Sequence, residues 1–595
     1  MTAPITAAVP TAPHLADPDH HPSFTRGMFL GEIREELVFP FPEPTAEERE
    51  SLTAILDSFR SWADDTVDSA RIDHDGRFPD EVRQGMAELG LMGLNIPEAY
   101  GGFGASTLVF SRVFGEIGAR DAALAVYFGA HQSIGIKGII LFGTEAQKQQ
   151  WLPRCASGEL IGAFCLTEPG SGSDAQAMRT MAVPSADGTH YVLDGTKIWI
   201  SNAGYAGVLT VFAKVPVVID GKPKQRVTAF IVDAKSPGVS LGKVEEKMGI
   251  KGSDTRSITF EGVRVPVENR LGEVGDGFHI ALEILNSGRL GLAAGSSRGT
   301  REIMRMAIAH ARQREQFGRP IGQFEMIQRK IAAAAADCYA SDAGWMLCAA
   351  MVDRGGVDFS LETAACKIYA SELVFRTASE AMQIAGGIGY SKEYRYEQAL
   401  RDARINMIFE GTNEVLRALI ALMGLQQPGE ELRAVGKAFK DPLHSLGAIS
   451  SYLTGRVKRT LVKPSFTKVH RALADEAELV AENIHGLALA VEKALIEHGK
   501  GIIERQLLQE RMANAAIDCY LATAVLSRAT TAIARHGESG AAADLEAARL
   551  FIPTAMRRAR RAIRALERNA DATIRAVAER ALTTGDLTVP TPTDT

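Results

Sequence analysis

Much that would narrow a functional reading is missing from these 595 residues. No uninterrupted apolar run reaches the roughly 18 to 20 residues a bilayer-spanning helix needs, so the sequence predicts no membrane span. Six cysteines (Cys155, Cys165, Cys338, Cys348, Cys366 and Cys519) are scattered without a CxxC pair. That pattern argues against a zinc site or a disulfide framework and suits free thiols in a reducing cytoplasm. Before Arg26 there is neither Lys nor Arg and no apolar core segment, so MTAPITAAVPTAPHLADPDHHPSF predicts no signal or transit peptide. Its Pro and Ala content predicts a disordered tail over 1–22. Positive charge is not in excess either: a formal net charge of -6 argues against nucleic acid as the main partner. No repeat of 20 to 50 residues is present, which excludes a solenoid.

What is there is a hydrophobic pattern whose period changes twice. With 46% hydrophobic residues the chain can bury several cores. From about 46 to 160, stretches such as ERESLTAILDSFRSWADDTV and FPDEVRQGMAELGLMG repeat apolar residues at helical spacing. Between 161 and 275, LIGAFCLTEP, HYVLDGTKIWISNAG, VLTVFAKVP, VTAFIVDA and SITFEGVRVP alternate with DG, DGKP and SPG turns, which predicts an antiparallel barrel or sandwich. Helical periodicity returns over 276–424. Prolines 428, 442 and 464 break it over 425–468, and Ala- and Arg-rich amphipathic helices fill 469–582, with a tail over 583–595.

The segment GSGSDA (170–175) satisfies GxGxxA after a strand, and Asp194 follows at the distance of a ribose-binding acid. A dinucleotide fold needs a helix next and then a parallel strand, whereas MAVPSADGTHYVLDG reads as turns and antiparallel strands. The loop's small residues and exposed N–H groups still allow close approach to a phosphate or flavin.

Five motifs carry a resemblance. TEPGSGSD (167–174), KIWISN (197–202), RxQFG from Arg314 to Gly318, QIAGGIGY (383–390) and FEGTNEVLR (409–417) stand in the order and spacing of the acyl-CoA dehydrogenase family. SFTRGMFLGEIREELVFPFP, GAHQSIGIKGIILFG and the added C-terminal helices resemble its very-long-chain branch, so the likeness covers nearly everything after residue 22. It implies an α+β fold: an N-terminal helical domain (23–160), a middle β-domain (161–275), a helical bundle with the active site (276–424), a basic linker (425–468) and an additional helical domain (469–582). It also implies FAD, an acyl-CoA substrate and an electron-transfer flavoprotein as acceptor.

By the same resemblance, Phe164, Cys165, Leu166, Thr167, Gly172 and Ser173 lie along the flavin and its pyrophosphate. Trp199 covers the ring system, with Ile200 and Ser201 beside it. Arg314, from a neighbouring subunit, and Phe317 belong to the same cofactor site, as do Gln383, Ile384, Ala385, Gly386, Gly387, Thr412, Asn413 and Glu414. The thioester end of the substrate is expected among Ser173, Asn286, Gly288, Arg289, Glu410 and Gly411. The residue types suit these roles: an indole is a flat apolar wall, a hydroxyl can donate to a ring nitrogen, and an Arg fork matches phosphate oxygens. Each type also has a plainer use, Trp199 as core packing, Arg314 as a solvated face and Gly386-Gly387 as a turn.

The implied reaction removes a feebly acidic proton beside a thioester carbonyl, which requires a base of raised pKa in an enclosed site. Glu410 stands after Ile408 and Phe409 and before a helix that Thr412 or Asn413 can cap. Burial would raise its pKa and the helix N-terminus would lower it, so the balance is not legible in sequence. Some relatives place the base at the start of the second helical domain. Here that stretch reads Asn286, Ser287, Gly288, and the nearest acid, Glu283, lies about one turn earlier. Glu410 is therefore the expected base, with Arg289 as its orienter or as a structural ion pair. Gly288, Gly291, Gly295 and Gly299 line one helix face, as tunnel wall or as a helix-packing surface. His131 is expected to be a core residue.

Basic and apolar residues alternate over 437–463, a composition that suits either a peripheral contact with the inner face of the cell membrane or a solvated linker. The very-long-chain resemblance implies a homodimer. A DNA-associated or assembly role and an acyl-CoA oxidase remain alternatives, the first drawing on MRRARRAIRALER (556–568).

Overall fold

Helices and a nine-stranded sheet are arranged around a single long helix in this computed structural model, which describes residues 5–6, 21–438 and 462–587. The long helix is Gly277–Gln313. It packs against Thr107–Arg120 on the N-terminal side and against Glu325–Arg354 and Ser360–Ala385 on the other. Its small residues permit these approaches: a Cβ at Gly115 would lie 3.2 Å from the Ala294 carbonyl.

The N-terminal helices follow their caps. Thr45 and Glu48 form a reciprocal capping box at the start of Ala46–Thr66, and Asp121 caps Ala122–Gly129 through the Leu124 N–H. Taken as one stretch, Ala122–Phe142 is long and apolar enough to cross a membrane by length and composition, which the run-length reading of the sequence missed. It is an interior element, mostly buried. A π-helical turn at Ala130–Gly135 interrupts it, and His131 and Gln132 bond there to the Met92 carbonyl.

The middle domain is one sheet whose long strands, His190–Ser201, Ala206–Ile219, Lys222–Asp233 and Thr255–Pro266, pair largely antiparallel. Asp220 and Gly221, both with positive φ, make the tight turn that the DGKP signal predicts. The sheet is not purely antiparallel. Ile161–Cys165 runs parallel to Ala206–Ile219, because two other strands intervene and no tight hairpin fixes its direction. Ile5–Thr6, within the expected tail, also pairs parallel to Ala206–Ile219. No helix follows GSGSDA beyond a single turn at Ala175–Ala177, and Asp194 accepts from the Gly262 N–H within the sheet, so the dinucleotide reading fails.

The added C-terminal helices (Ala474–His498, Gln506–Gly540, Ala542–Arg564) share one core with the bundle. Tyr520 is buried and donates to the Gly344 carbonyl (2.9 Å). Phe24, Met28, Phe29 and Phe39 belong to that core too, so the segment Phe24–Phe39 packs with the C-terminal helices. Glu362 anchors it, accepting from Ser23 Oγ (3.0 Å) and the Thr25 N–H (2.8 Å). The segment expected as linker begins as a helix, Gln426–Ala438. Most of the basic 437–463 stretch lies outside the described residues.

Candidate active site

Between the sheet, the π-helical turn and the long helix lies a cavity of about 530 Å³. Its walls include Phe164, Leu166, Thr167, Gly172, Ser173, Trp199, Ile200 and Ser201 on the sheet side, and Gly288, Arg289, Glu410 and Gly411 on the helical side.

The sheet-side wall is built by backbone irregularity and one buried ion pair. Trp199 has φ 59° at a shift of register between Lys197 and Ile200, which leaves its indole 58% exposed. Lys197 points the other way, fully buried, and donates to Glu168 Oε1 (2.8 Å) and the Leu166 carbonyl (3.1 Å). Glu168 also accepts from the Arg179 and Thr180 N–H groups and the Thr180 hydroxyl. Burial is the largest single effect and raises the carboxyl's pKa, but these bonds and the Lys197 charge together outweigh it and hold the carboxyl below its usual range. The ion pair thus pins the loop that brings Thr167, Gly172 and Ser173 to the cavity. Nothing in the sequence pattern pairs Glu168 with Lys197.

On the helical side Glu410 and Gly411 both take positive φ, 57° and 91°. Thr412 caps the following helix, Asn413–Gly424, accepting from the Val415 N–H (3.3 Å). Glu410 Oε2 is buried with no hydrogen-bond partner. Burial raises the carboxyl to about 7, opposed by the nearby charges of Lys367 and Arg289. Desolvation therefore outweighs both cations. A Cβ on Gly288 would lie 2.7–2.9 Å from the carboxylate atoms, so the glycine makes room for the acid. Arg289 does not pair with the carboxylate: its Nε donates to the Glu410 backbone carbonyl (3.2 Å) and another guanidinium nitrogen to Asn286 Oδ1 (3.0 Å). Asn286 thus supports Arg289, and Glu283 does not line the cavity.

From Gly288 the cavity follows the long helix past Leu292, Gly295, Ser296 and Gly299 to Glu302, about 21 Å at 1.5 Å per residue. Gly118, Ala122, Ala125 and Val126 face it from the N-terminal domain. The glycine stripe serves both expected purposes. Gly295 and Gly299 line the cavity, while Gly291 seats the Phe114 ring, 3.3 Å from where its Cβ would be. His131 is a core residue. Its Nδ1 accepts from the Gly162 N–H (2.8 Å), so Nε2 carries the proton donated to Met92, and burial lowers its pKa to about 4.

The remaining expected residues are not gathered here. Cys165 is buried in the sheet core, where burial pushes its thiol up to about 12. Ile384 and Ala385 are buried in the bundle, and Asn413 is buried against Lys367 and Ser371. Arg314, Phe317 (94% exposed), Gln383, Gly386, Gly387, Thr412 and Glu414 do not line the cavity, and all but the half-buried Thr412 are exposed.

One buried charge beside the site escaped the sequence reading. Lys367, fully buried on Ser360–Ala385, donates to the Gly411 carbonyl (2.8 Å) and to Asn413 Oδ1 (2.9 Å). Its only signal is the spacing of Thr363, Lys367 and Ser371 at i, i+4 and i+8 in an otherwise Ala-rich helix.

The residues present fit FAD. An exposed indole, the Ser201 hydroxyl and a loop whose Gly172 has no atom within 4 Å of an added Cβ offer a flat apolar wall with a polar edge and backbone open to close approach.

Known proteins agree over most of the chain. Residues 49–159, 163–263 and 275–424 match the N-terminal, middle and C-terminal domains of acyl-CoA dehydrogenase, and 471–587 match the ACAD9/ACADV C-terminal domain. The very long-chain specific acyl-CoA dehydrogenase of Rattus norvegicus mitochondria is 42% identical over 518 residues, 86% of this chain and 79% of the relative. The crystal structure of a Bacillus anthracis acyl-CoA dehydrogenase complexed with FAD superimposes with a TM-score of 0.75 at 31% identity, covering 95% of each chain. A chain from a structure described as the electron transferring flavoprotein of Acidaminococcus fermentans covers 64% of this chain and 99% of its own, at 33% identity and a TM-score of 0.59.

Proposed function

The chain belongs to the acyl-CoA dehydrogenase family, and on that premise we propose that Glu410 is the base with which it dehydrogenates long and very-long-chain acyl-CoA thioesters to trans-2-enoyl-CoA. The enzyme is an FAD-dependent acyl-CoA dehydrogenase of fatty acid β-oxidation. The observation that carries the choice of base is the buried, unpartnered Oε2 of Glu410 in the same cavity as Trp199 and Ser201.

The chain's own part in the reaction follows from that placement. A carboxyl raised to about 7 is ionised in useful amount at neutral pH yet basic enough to take a proton from the carbon beside the thioester carbonyl. Enclosure strengthens every polar interaction with the developing enolate charge. The Glu410 backbone N–H, with no protein acceptor among the described residues, is available to the carbonyl oxygen. Bound FAD supplies the two-electron acceptor for the substrate's β-carbon. Trp199 and Ser201 hold its place, and the Gly288–Glu302 wall takes the alkyl chain.

Electrons pass on to an electron-transfer flavoprotein. A homodimer is supported by the exposed Arg314 and Phe317, which need a neighbour to complete a cofactor site, and cytoplasmic residence by six buried free thiols. Peripheral membrane contact through 437–463 rests on composition, and co-sedimentation with anionic liposomes, wild type against a deletion of 437–463, tests it. Anaerobic titration with acyl-CoAs of graded length, followed by flavin bleaching, tests the main reading. Bleaching by long chains in preference to short ones supports it, and none at any length contradicts it.

A further inference from the structure

The turn that carries Glu410 is conformationally costly. Glu410 and Gly411 are consecutive residues with φ in the left-handed region, where the Cβ of Glu410 crowds the following carbonyl oxygen. Such a turn persists only when its surroundings over-determine it. Two buried cations do so from opposite helices. Arg289, on the long helix, grips the Glu410 carbonyl, and Lys367, on Ser360–Ala385, grips the carbonyl of the next residue, Gly411. Neither donates to the carboxylate, although both charges face it.

Lys367 is itself fixed from behind. Asn413 Oδ1 accepts its second bond, and the Asn413 amide donates to Ser371 Oγ (3.1 Å) and Glu372 Oε1 (3.0 Å). Glu372 in turn is paired with Arg417 (2.8 Å). The charged groups around the base are thus Arg289 on the long helix, Lys367 and Glu372 on Ser360–Ala385, and Glu414 and Arg417 on Asn413–Gly424. Of these, Lys367 and Arg289 act directly on Glu410, Lys367 the more strongly.

We propose that Lys367 is the positioning residue of this active site: by clamping the Gly411 carbonyl it fixes the turn that places the Glu410 carboxylate over Gly288. The proposal rests on Glu410 being the base. It separates the two cations by task. Arg289 fixes the backbone entering the turn, and Lys367 fixes the backbone leaving it and tunes the acid. It also gives a reason for a fully buried lysine in an Ala-rich helix, where an apolar residue would cost less.

The test compares wild type with Lys367→Met, Lys367→Gln and Lys367→Arg, all loaded with FAD and checked for thermal unfolding. The readouts are the acid limb of kcat/KM against pH and an infrared titration of the Glu410 carboxyl, assigned by subtraction of Glu410→Gln. Removing the charge moves both the limb and the carboxyl titration upward by at least about one pH unit. Lys367→Arg returns them to within a few tenths. Lys367→Gln keeps a donor for the Gly411 carbonyl and so retains more of kcat than Lys367→Met. If Lys367→Met does not accumulate as folded protein, Lys367→Gln carries the charge test. Lowered unfolding temperatures with an unmoved limb and an unmoved carboxyl titration overturn the proposal and leave a structural lysine. An acid limb that persists in Glu410→Gln overturns the choice of base instead.

Discussion

Gly288 and Glu410 occupy a space that admits only one side chain: a Cβ on residue 288 would stand 2.7 Å from Oε1 and 2.8 Å from Oε2 of the glutamate. Gly288→Ala should therefore act in opposite directions on stability and activity. Helix propensity favours alanine by about 1 kcal/mol in a helix interior, so the unfolding temperature should not fall. The displaced carboxylate should lower kcat by roughly 10²-fold, the scale on which misplacing a catalytic group is felt. Thermal melts and steady-state kinetics on one preparation check both signs.

The raised pKa of Glu410 predicts how stability and rate depend on pH. A carboxyl near 7 in the folded protein and near 4.5 in the unfolded chain binds more protons when folded between those values. Its contribution to stability is therefore lost as pH rises from 4.5 to 7, by up to about 3 kcal/mol. Glu410→Gln should melt higher than wild type at pH 8 and close to it at pH 4.5. For the wild type, kcat/KM should rise through an apparent pKa near 7.

His131 has the opposite sign. Its folded pKa, about 4, is below the ordinary 6.5, so its neutral form stabilises the fold above 6.5 and that stability is lost as pH falls toward 4. The loss arises because burial disfavours the charged imidazolium, and protonation of Nδ1 also removes the acceptor for the Gly162 N–H. A His131→Asn variant, unable to titrate, should be less stable than wild type at pH 8 and show a flatter fall between 6.5 and 4, read as melting temperature against pH.

Gly299 lines the cavity about 16 Å along the helix from Gly288, and an added Cβ would meet only Val374, at 3.7 Å. Gly299→Leu should fold and block the tunnel beyond about 13 carbons, taking about 1.25 Å per bond of an extended chain. Activity with octanoyl-CoA should hold while that with stearoyl-CoA falls at least tenfold. Equal losses at both lengths would place the alkyl chain elsewhere.

The α, β, α order, the hairpin turns, the placement of Glu410 just before a capped helix and the glycine stripe were legible because each is written in local spacing or in a continuous motif. Failures cluster where a partner is far away in sequence. Glu168 and Lys197 form a buried pair only because two irregular segments meet, and Lys367 finds Gly411 across a helix-to-loop contact. Arg289 was expected as an orienter of the glutamate or as a structural ion pair, and it donates to the Glu410 backbone carbonyl and not to the carboxylate, a distinction between side chain and backbone that spacing does not encode. Phe24–Phe39 looked like the start of the N-terminal domain because it comes first in the chain. Its apolar side chains instead fill the core that the C-terminal helices leave open.

The most direct test of the central claim is anaerobic rapid mixing of a long-chain acyl-CoA with FAD-loaded wild type and Glu410→Gln, following flavin absorbance. Without the carboxylate, bleaching should slow by about 10²- to 10⁴-fold while the thioester still binds. Bleaching by Glu410→Gln at the wild-type rate would contradict it.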